Sequence, residues 1–336
     1  MAELLSVKSV SKVFGSERLF QKDVTVAVDD VTFSITEDRP TITAIAGESG
    51  SGKTTLSLLM MGQLTPTSGE IFYRGKNIVS MTREEKFNLR REVQPIYQDP
   101  YAAFNPFYRV DHVLEMAIRN FKLAKSKQET ELRIEEALKL VGLRSAETLG
   151  RYPHQLSGGQ RQRLMVARAM LCRPGLIMAD EPVSMVDASL RATILSSLRK
   201  LNQDFGISIV YITHDLTTAY QISQNIIIMY AGAVVEAGSV DRVIRFPKHP
   251  YTQLLISSIP QPSKEKLWGG GETEEAQTST RKSSGCRFAA RCPVAMQICW
   301  TQKPPLFRLD EDRAATCFQY QGNEIIEHSN LAAVMK

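Results

Sequence analysis

Polar and apolar residues alternate along Leu4–Phe14 and again along Val24–Ile35, and the second run ends in Glu37-Asp38-Arg39-Pro40. Alternation puts one face of a strand on a core and the other in water, so this spacing predicts antiparallel strands that stop in a turn. Thr41–Ala46 differs, being short, apolar and rich in β-branched residues, and after a glycine-rich stretch Thr55–Met61 suits a helix. The prediction is a buried strand, a loop and a helix. Pro66-Thr67-Ser68-Gly69 and Arg74-Gly75-Lys76-Asn77 predict turns on either side of a short strand over Glu70–Tyr73. Val93–Tyr97 is a further apolar segment, and it stops at Gln98-Asp99-Pro100. From Val110 to Val141 the spacing becomes helical, with Leu114, Ile118 and Phe121, then Leu132, Ile134, Leu138 and Leu140, set among charges. That predicts a helical insert, closed by a helical run over Arg161–Leu171. Leu176–Asp180 and Ile207–Thr213 are too short for helices and have the make-up of buried parallel strands. The fold class expected from this order is α/β.

At 336 residues, 43% of them hydrophobic, the chain has the length of about two ordinary globular domains. No apolar run reaches the roughly 18 residues that a membrane-crossing helix needs. The N-terminus alternates from its start and lacks a charged segment followed by an apolar one, so it reads as a strand and the cytoplasm is the expected compartment. The formal charge of +5 is spread without any basic block long enough to single out nucleic acid or anionic lipid as a partner.

The loop between the first buried strand and its helix carries the most specific chemistry. Gly47-Glu48-Ser49-Gly50-Ser51-Gly52-Lys53-Thr54-Thr55 fits G-x-x-x-x-G-K-S/T, with Gly47, Gly52, Lys53 and Thr54 at the fixed positions. Glycines let successive backbone N–H groups converge on phosphate oxygens, and the helix start adds the positive end of its dipole. Lys53 would hold the β- and γ-phosphates of ATP, and the Thr54 hydroxyl would ligate magnesium. A second anion site is expected at Ser157-Gly158-Gly159-Gln160, where Ser157 is a natural N-cap and two glycines admit close approach. Asp180 and Glu181 end one buried strand and His214 follows another. In open α/β sheets ligands gather beyond the carboxyl ends of the strands, so Gly47, Asp180 and His214 point to one place. Asp180 would orient magnesium, Glu181 would polarise the attacking water, and His214 would contact the γ-phosphate. Phe14, ahead of the phosphate loop, is either a base-stacking aromatic or an ordinary strand or core residue.

Taken in order, these stretches resemble the nucleotide-binding subunits of ATP-binding cassette (ABC) transporters over roughly residues 4 to 240. The Walker A loop is Gly47–Thr54, the Q-loop residue Gln98, the signature Leu156–Gln160, and Walker B Leu176–Asp180 followed by Glu181. The D-loop is Ser184-Met185-Val186-Asp187, differing from the commoner Ser-Ala-Leu-Asp by apolar exchanges, and the switch histidine is His214. Tyr97-Gln98-Asp99-Pro100-Tyr101-Ala102-Ala103-Phe104-Asn105-Pro106 and His249-Pro250-Tyr251-Thr252-Gln253-Leu254-Leu255 resemble segments of the di- and oligopeptide importers, a branch that also carries oligosaccharides.

The resemblance implies a P-loop NTPase core with a RecA-like, mostly parallel sheet. It adds an antiparallel β subdomain, an α-helical signature subdomain over about residues 99 to 165, and a Cys-rich C-terminal extension from 241 to 336. Gln98 would join Thr54 and Asp180 around magnesium and link nucleotide state to the membrane subunits. It also implies a head-to-tail dimer in which Ser157–Gln160 of one subunit covers the partner's Walker A. The partner would be a paralogous ATPase subunit, joined by two transmembrane permease subunits and an extracytoplasmic solute-binding protein. The chain would sit peripherally on the cytoplasmic face of the inner membrane and bind no nucleic acid. The alternatives from other classes are a soluble cassette ATPase acting on nucleic acid or the ribosome, and a regulatory subunit with little hydrolysis.

Beyond residue 240 the composition shifts. Trp268–Gly285, rich in Gly, Ser, Thr and Glu, reads as a flexible loop. Cys286, Cys292, Cys299 and Cys317 follow with spacing Cys-x5-Cys-x6-Cys-x17-Cys, four of five cysteines within 32 residues. Cys172 is expected to be a buried thiol. Disulfides suit an oxidising compartment, zinc usually takes closer cysteine pairs, and a four-iron four-sulfur (4Fe-4S) cluster also takes four thiolates. The tail resembles the iron-sulfur tails of peptide-importer ATPases, which implies a 4Fe-4S cluster, with zinc as the alternative.

Overall fold

The computed structural model describes residues 2–15, 24–99, 104–259, 284–327, 331 and 333–335. The first strands in chain order are β1 (Glu3–Phe14), β2 (Thr25–Thr36), β3 (Ile42–Ala46), β4 (Ser68–Tyr73), β5 (Lys76–Asn77) and β6 (Val93–Ile96). They are followed by β7 (Leu176–Asp180), β8 (Ser208–Thr213), β9 (Asn225–Tyr230), β10 (Ala233–Ser239), β11 (Phe307–Asp310) and β12 (Arg313–Ala315).

β1 and β2 pair antiparallel with Leu5 opposite Ile35, Val7 opposite Phe33 and Val10 opposite Val31, so their apolar faces coincide. All six of these residues are buried. β4 and β5 complete a sheet of order β2-β1-β4-β5. The turn expected over Arg74–Asn77 is shorter than the sequence suggests. Only Arg74 (φ 46°) and Gly75 (φ 76°) form it, and Lys76 and Asn77 pair back onto Tyr73 and Phe72. Left-handed conformations at both central residues match the twist of a two-residue hairpin.

The second sheet has the order β11-β12-β10-β9-β3-β8-β7-β6 among the described residues. β6, β7, β8, β3 and β9 are mutually parallel, and every residue of β3, β8 and β9 is buried. Near-continuous apolar runs are what strands covered on both faces require. The helical insert is present as helices Asp111–Asn120 and Lys127–Leu140, followed by Gly158–Leu171. Leu114, Ile118, Ile134 and Leu138 are buried at i, i+4 spacing, whereas Leu132 and Leu140 lie on the outer face, 57% and 43% exposed.

The tail does not stand apart from the cassette sheet. β12 pairs with β10, Ala315 opposite Glu236, and β11 pairs with β12, so the sheet runs across the expected boundary at residue 240. The expected loop over Trp268–Gly285 lies, for residues 268–283, outside the described residues, as do Pro100–Ala103 of the importer-like segment. Cys172 is buried, and burial pushes its thiol up to about 11. No described helix is long and apolar enough to cross a membrane.

A buried polar junction joins β10 to the tail. Glu236 accepts the backbone N–H groups of Lys248 (3.1 Å) and His249 (2.8 Å), and His249 Nδ1 accepts the Tyr251 N–H (3.1 Å) to cap helix Pro250–Ser257. Burial lowers the His249 ring to about 4 from its ordinary 6.5. Between those values the unfolded chain binds a proton that the folded chain excludes, so this residue's stabilisation is present above about pH 6.5 and lost as pH falls toward 4. His249→Asn, which keeps a cap acceptor without a titrating ring, is expected to remove about 2 kcal/mol of the stability lost between pH 7 and 5. Urea unfolding at the two pH values measures this, and an identical loss in both chains would contradict it.

Candidate functional site: a phosphate loop at converging strand ends

The strand register brings the expected residues together. Ala46 of β3 pairs with Thr213 of β8, so Gly47 and His214 leave the sheet side by side. Asp180 of β7 pairs with Ile212, and the Glu181 N–H donates to the Ile212 carbonyl at 2.9 Å. Three chain segments therefore end at one edge of the sheet, as parallel topology predicts.

Two positions of the loop admit glycine alone. A Cβ on Gly47 (φ 154°) would stand 2.2 Å from the Met229 carbonyl oxygen, and one on Gly52 (φ 98°) 2.1 Å from that of Ala27. Helix Lys53–Met60 starts directly after Gly52 with no side-chain cap and no acidic residue in its first turn. Its leading N–H groups and dipole end suit an anion. Lys53, 6% exposed, donates from Nζ to the Gly47 carbonyl (2.8 Å), the Glu48 carbonyl (2.7 Å) and Ser51 Oγ (3.2 Å). Burial lowers its pKa while Glu181 and Asp180 pull the other way.

A cavity of about 730 Å³ opens above the loop. Ser49, Gly50, Lys53, Thr54 and Thr55 line one wall and Gln98, Glu181 and His214 the other. The Thr54 side chain hydrogen-bonds Asp180, whose carboxyl is raised by burial and by the Glu181 charge. A hydroxyl and a partly buried carboxylate at one point are a donor set that fits magnesium. Glu181 is held in a left-handed conformation (φ 45°), a strain of about 1–3 kcal/mol of the kind found at functional sites. Its carboxylate meets His214 Nδ1 at 2.8 Å through Oε1 and accepts the Gln98 side-chain N–H at 2.9 Å through Oε2.

Phe14 ends β1 opposite Thr25. Thr25 lines the cavity and Phe14 does not. At 41% exposure Phe14 is no core residue, and the Lys12 ammonium lies 5.2 Å from its ring centre. Ser157, Gly158, Gly159 and Gln160 are likewise absent from the cavity wall. They start a helix with a reciprocal capping box, Ser157 Oγ accepting the Gln160 N–H (3.2 Å) and Gln160 Oε1 the Ser157 N–H (2.9 Å). A Cβ on Gly159 would meet Leu190 Cδ1 at 2.5 Å.

A ready-made site for a metal ion on the tail is not supported. Among the described residues no three or more His, Cys, Asp or Glu side chains are grouped so as to hold one. A single ion needs its thiolates about 2.3 Å from one point. Cys286, Cys292, Cys299 and Cys317 nevertheless line one small cavity. Burial raises three of these thiols, Cys317 to about 11, and the neighbouring thiols add to the shift. Sequence reasoning also passed over Thr25, Ala27, Glu48 and Leu255 on the cavity wall, and Tyr251 and Arg291, which bond to Glu48. The His249-Pro250-Tyr251 segment was the available signal for the last group.

Strand ends converging on a phosphate loop, flanked by an antiparallel sheet and a helical insert, define an ATP-binding cassette. The ABC transporter family model matches residues 28–184, and that of the oligopeptide/dipeptide transporter C-terminal region matches residues 235–299. A probable peptide ABC transporter ATP-binding protein of Sinorhizobium fredii is 38% identical over 94% of this chain and 89% of its own length. The oligopeptide transport ATP-binding protein AppD of Bacillus subtilis is 37% identical over 96% of this chain and 98% of its own. Among solved structures, a dimeric post-hydrolysis state of the ATP-binding cassette MJ0796 with ADP and Pi has a TM-score of 0.62 at 28% identity, covering 70% of this chain and 98% of that one. The chain belongs to the ATP-binding subunits of oligopeptide and dipeptide ABC transporters.

Proposed function

We propose that this chain hydrolyses ATP to drive import of di- or oligopeptides through a binding-protein-dependent ABC transporter. The observation that carries the chemistry is the Glu181 carboxylate, bracketed by Gln98 and His214 above the phosphate loop. The cargo class is supported by the C-terminal match and by the relatives named for peptide transport.

On this reading Gly50–Thr55 cradle the phosphates by backbone N–H groups, and Lys53 releases the loop carbonyls to take β- and γ-oxygens. Thr54, Asp180 and Gln98 would hold magnesium, which when bound neutralises phosphate charge. Glu181 orients a water on the γ-phosphorus and takes its proton as the bond to the β–γ bridging oxygen breaks and ADP leaves. Gln98 and His214 set the direction of that carboxylate. Phe14, at the rim beside Thr25, would stack on the base.

Ser157–Gln160 start a helix, with Ser157 exposed and none of the four on the cavity wall of their own chain; a helix start suits an anion, which favours a head-to-tail dimer in which they cover a partner's phosphate loop. A paralogous ATPase subunit is the proposed partner, with two permease subunits and a solute-binding protein completing the assembly at the cytoplasmic face of the membrane. Affinity purification of the full chain from detergent-solubilised membranes tests this. Two hydrophobic permease subunits are expected to accompany it, and recovery with ribosomes or nucleic acid instead would contradict it.

The four tail thiols line one cavity and would supply the donors of a 4Fe-4S cluster, which takes one thiolate on each iron and therefore a wider ring of ligands than a single ion. Cys286, Cys292, Cys299 and Cys317 would hold it, in a structural role. Anaerobic purification is expected to yield about four irons and four sulfides per chain, lost in Cys317→Ser. One zinc without iron, or no metal, would contradict the cluster while leaving the ATPase reading intact.

A further inference from the structure

The C-terminal extension bonds to the phosphate loop at Glu48. The Glu48 N–H donates to the Tyr251 hydroxyl at 2.9 Å. Its carboxylate takes the Arg291 guanidinium in a fork, Nη1 to Oε2 at 2.9 Å and Nη2 to Oε1 at 3.1 Å. Tyr251 has no exposed surface, and its ring packs on Tyr230 (centroids 4.6 Å apart) and Phe288 (5.5 Å). The guanidinium lies over the same two rings, 5.7 Å from the Tyr230 centre and 5.8 Å from that of Phe288. A planar cation stacked on aromatic faces is oriented before its carboxylate arrives, which is where a bidentate pair exceeds an ordinary surface one.

These contacts bear on the cradle. The Glu48 amide is committed to Tyr251, while its carbonyl accepts Lys53 Nζ. On the other side the Met229 carbonyl leaves no room beside Gly47. The first two residues of the loop are thus fixed from both flanks, and the Glu48 carbonyl also accepts the Ser51 N–H at 3.2 Å.

We propose that Arg291 and Tyr251 are positioning residues for the nucleotide, through which the C-terminal extension presets the phosphate loop and tunes affinity for ATP. The proposal rests on the reading that this loop binds ATP. Binding of a fluorescent ATP analogue, displaced by ATP, is measured on the full chain, and KM and kcat on the membrane assembly. Arg291→Met, which keeps an apolar stem on the rings, is expected to weaken ATP binding about 3- to 10-fold and to raise KM while kcat stays within about twofold. Arg291→Lys, charged but unforked, should recover part of the loss. Adding Glu48→Gln to Arg291→Met should cost little more, because both changes remove one pair. Tyr251→Phe keeps the ring and should weaken binding by itself, which decides the matter if Arg291→Met fails to fold. Wild-type affinity in both Arg291→Met and Tyr251→Phe overturns the proposal alone. A parent chain that fails to bind ATP overturns the underlying reading and the proposal with it.

Discussion

Glu181→Gln is expected to bind ATP as tightly as the parent chain and to hydrolyse it about 10²–10⁴-fold more slowly, the span that general-base catalysis supplies. The amide has the shape of the carboxylate, so packing around the left-handed residue 181 is conserved. Its remaining oxygen can still accept from Gln98 or His214, 83 and 33 residues away in the chain. Only proton acceptance and negative charge are lost. Binding is measured with the analogue described above, and turnover as phosphate released from the assembled transporter. Unchanged turnover would remove Glu181 from the role, and lost binding would make it a nucleotide ligand.

Lys53→Ala is expected to act on the other half of the chemistry and to weaken ATP binding about 10- to 150-fold, since a charged hydrogen-bonding group is worth about 1.5–3 kcal/mol. The ammonium is buried and already aimed at the loop, where the Gly47 and Glu48 carbonyls hold it at 2.8 and 2.7 Å. On the proposed reading those oxygens would be exchanged for phosphate when nucleotide arrives. Truncation also strips them of their donor, so thermal melting must accompany the binding titration. A folded Lys53→Ala chain with undiminished affinity would show that the cation contributes nothing to the site.

Much of this site was legible in the sequence because phosphate imposes its demands locally. Gly47 and Gly52 lie within six residues of Lys53 in one motif, although the carbonyls that exclude a Cβ there belong to the distant Met229 and Ala27, and Asp180 and Glu181 are marked by the end of a strand whose apolar run is its own signal. Elements bearing little buried surface were not legible. Helix Arg83–Glu92 buries only Leu89 and is marked by its Thr82–Glu85 capping box rather than by any apolar stripe. In the insert, Leu132 and Leu140 belong to the helical apolar pattern yet lie exposed, because one face of helix Lys127–Leu140, with Ile134, Ala137 and Leu138, packs inward. Long-range pairings left no local trace. Arg291 and Glu48 are 243 residues apart, and the joining of β12 to β10 depends on edge hydrogen bonds that any short strand can make. The four cysteines declared their clustering but not their geometry, because spacing places thiols on one loop system without setting the distances among them.

Coupling of ATP hydrolysis to peptide import sets this chain apart from a cassette ATPase that acts on RNA or ribosomes. The direct measurement is phosphate release by the transporter purified through this chain and reconstituted in lipid, with and without its solute-binding protein loaded with peptide. Slow release alone, several-fold stimulation by the peptide-loaded binding protein, and loss of both in Glu181→Gln are expected. Hydrolysis indifferent to the peptide-loaded protein, or stimulated instead by RNA or ribosomes, would contradict that coupling.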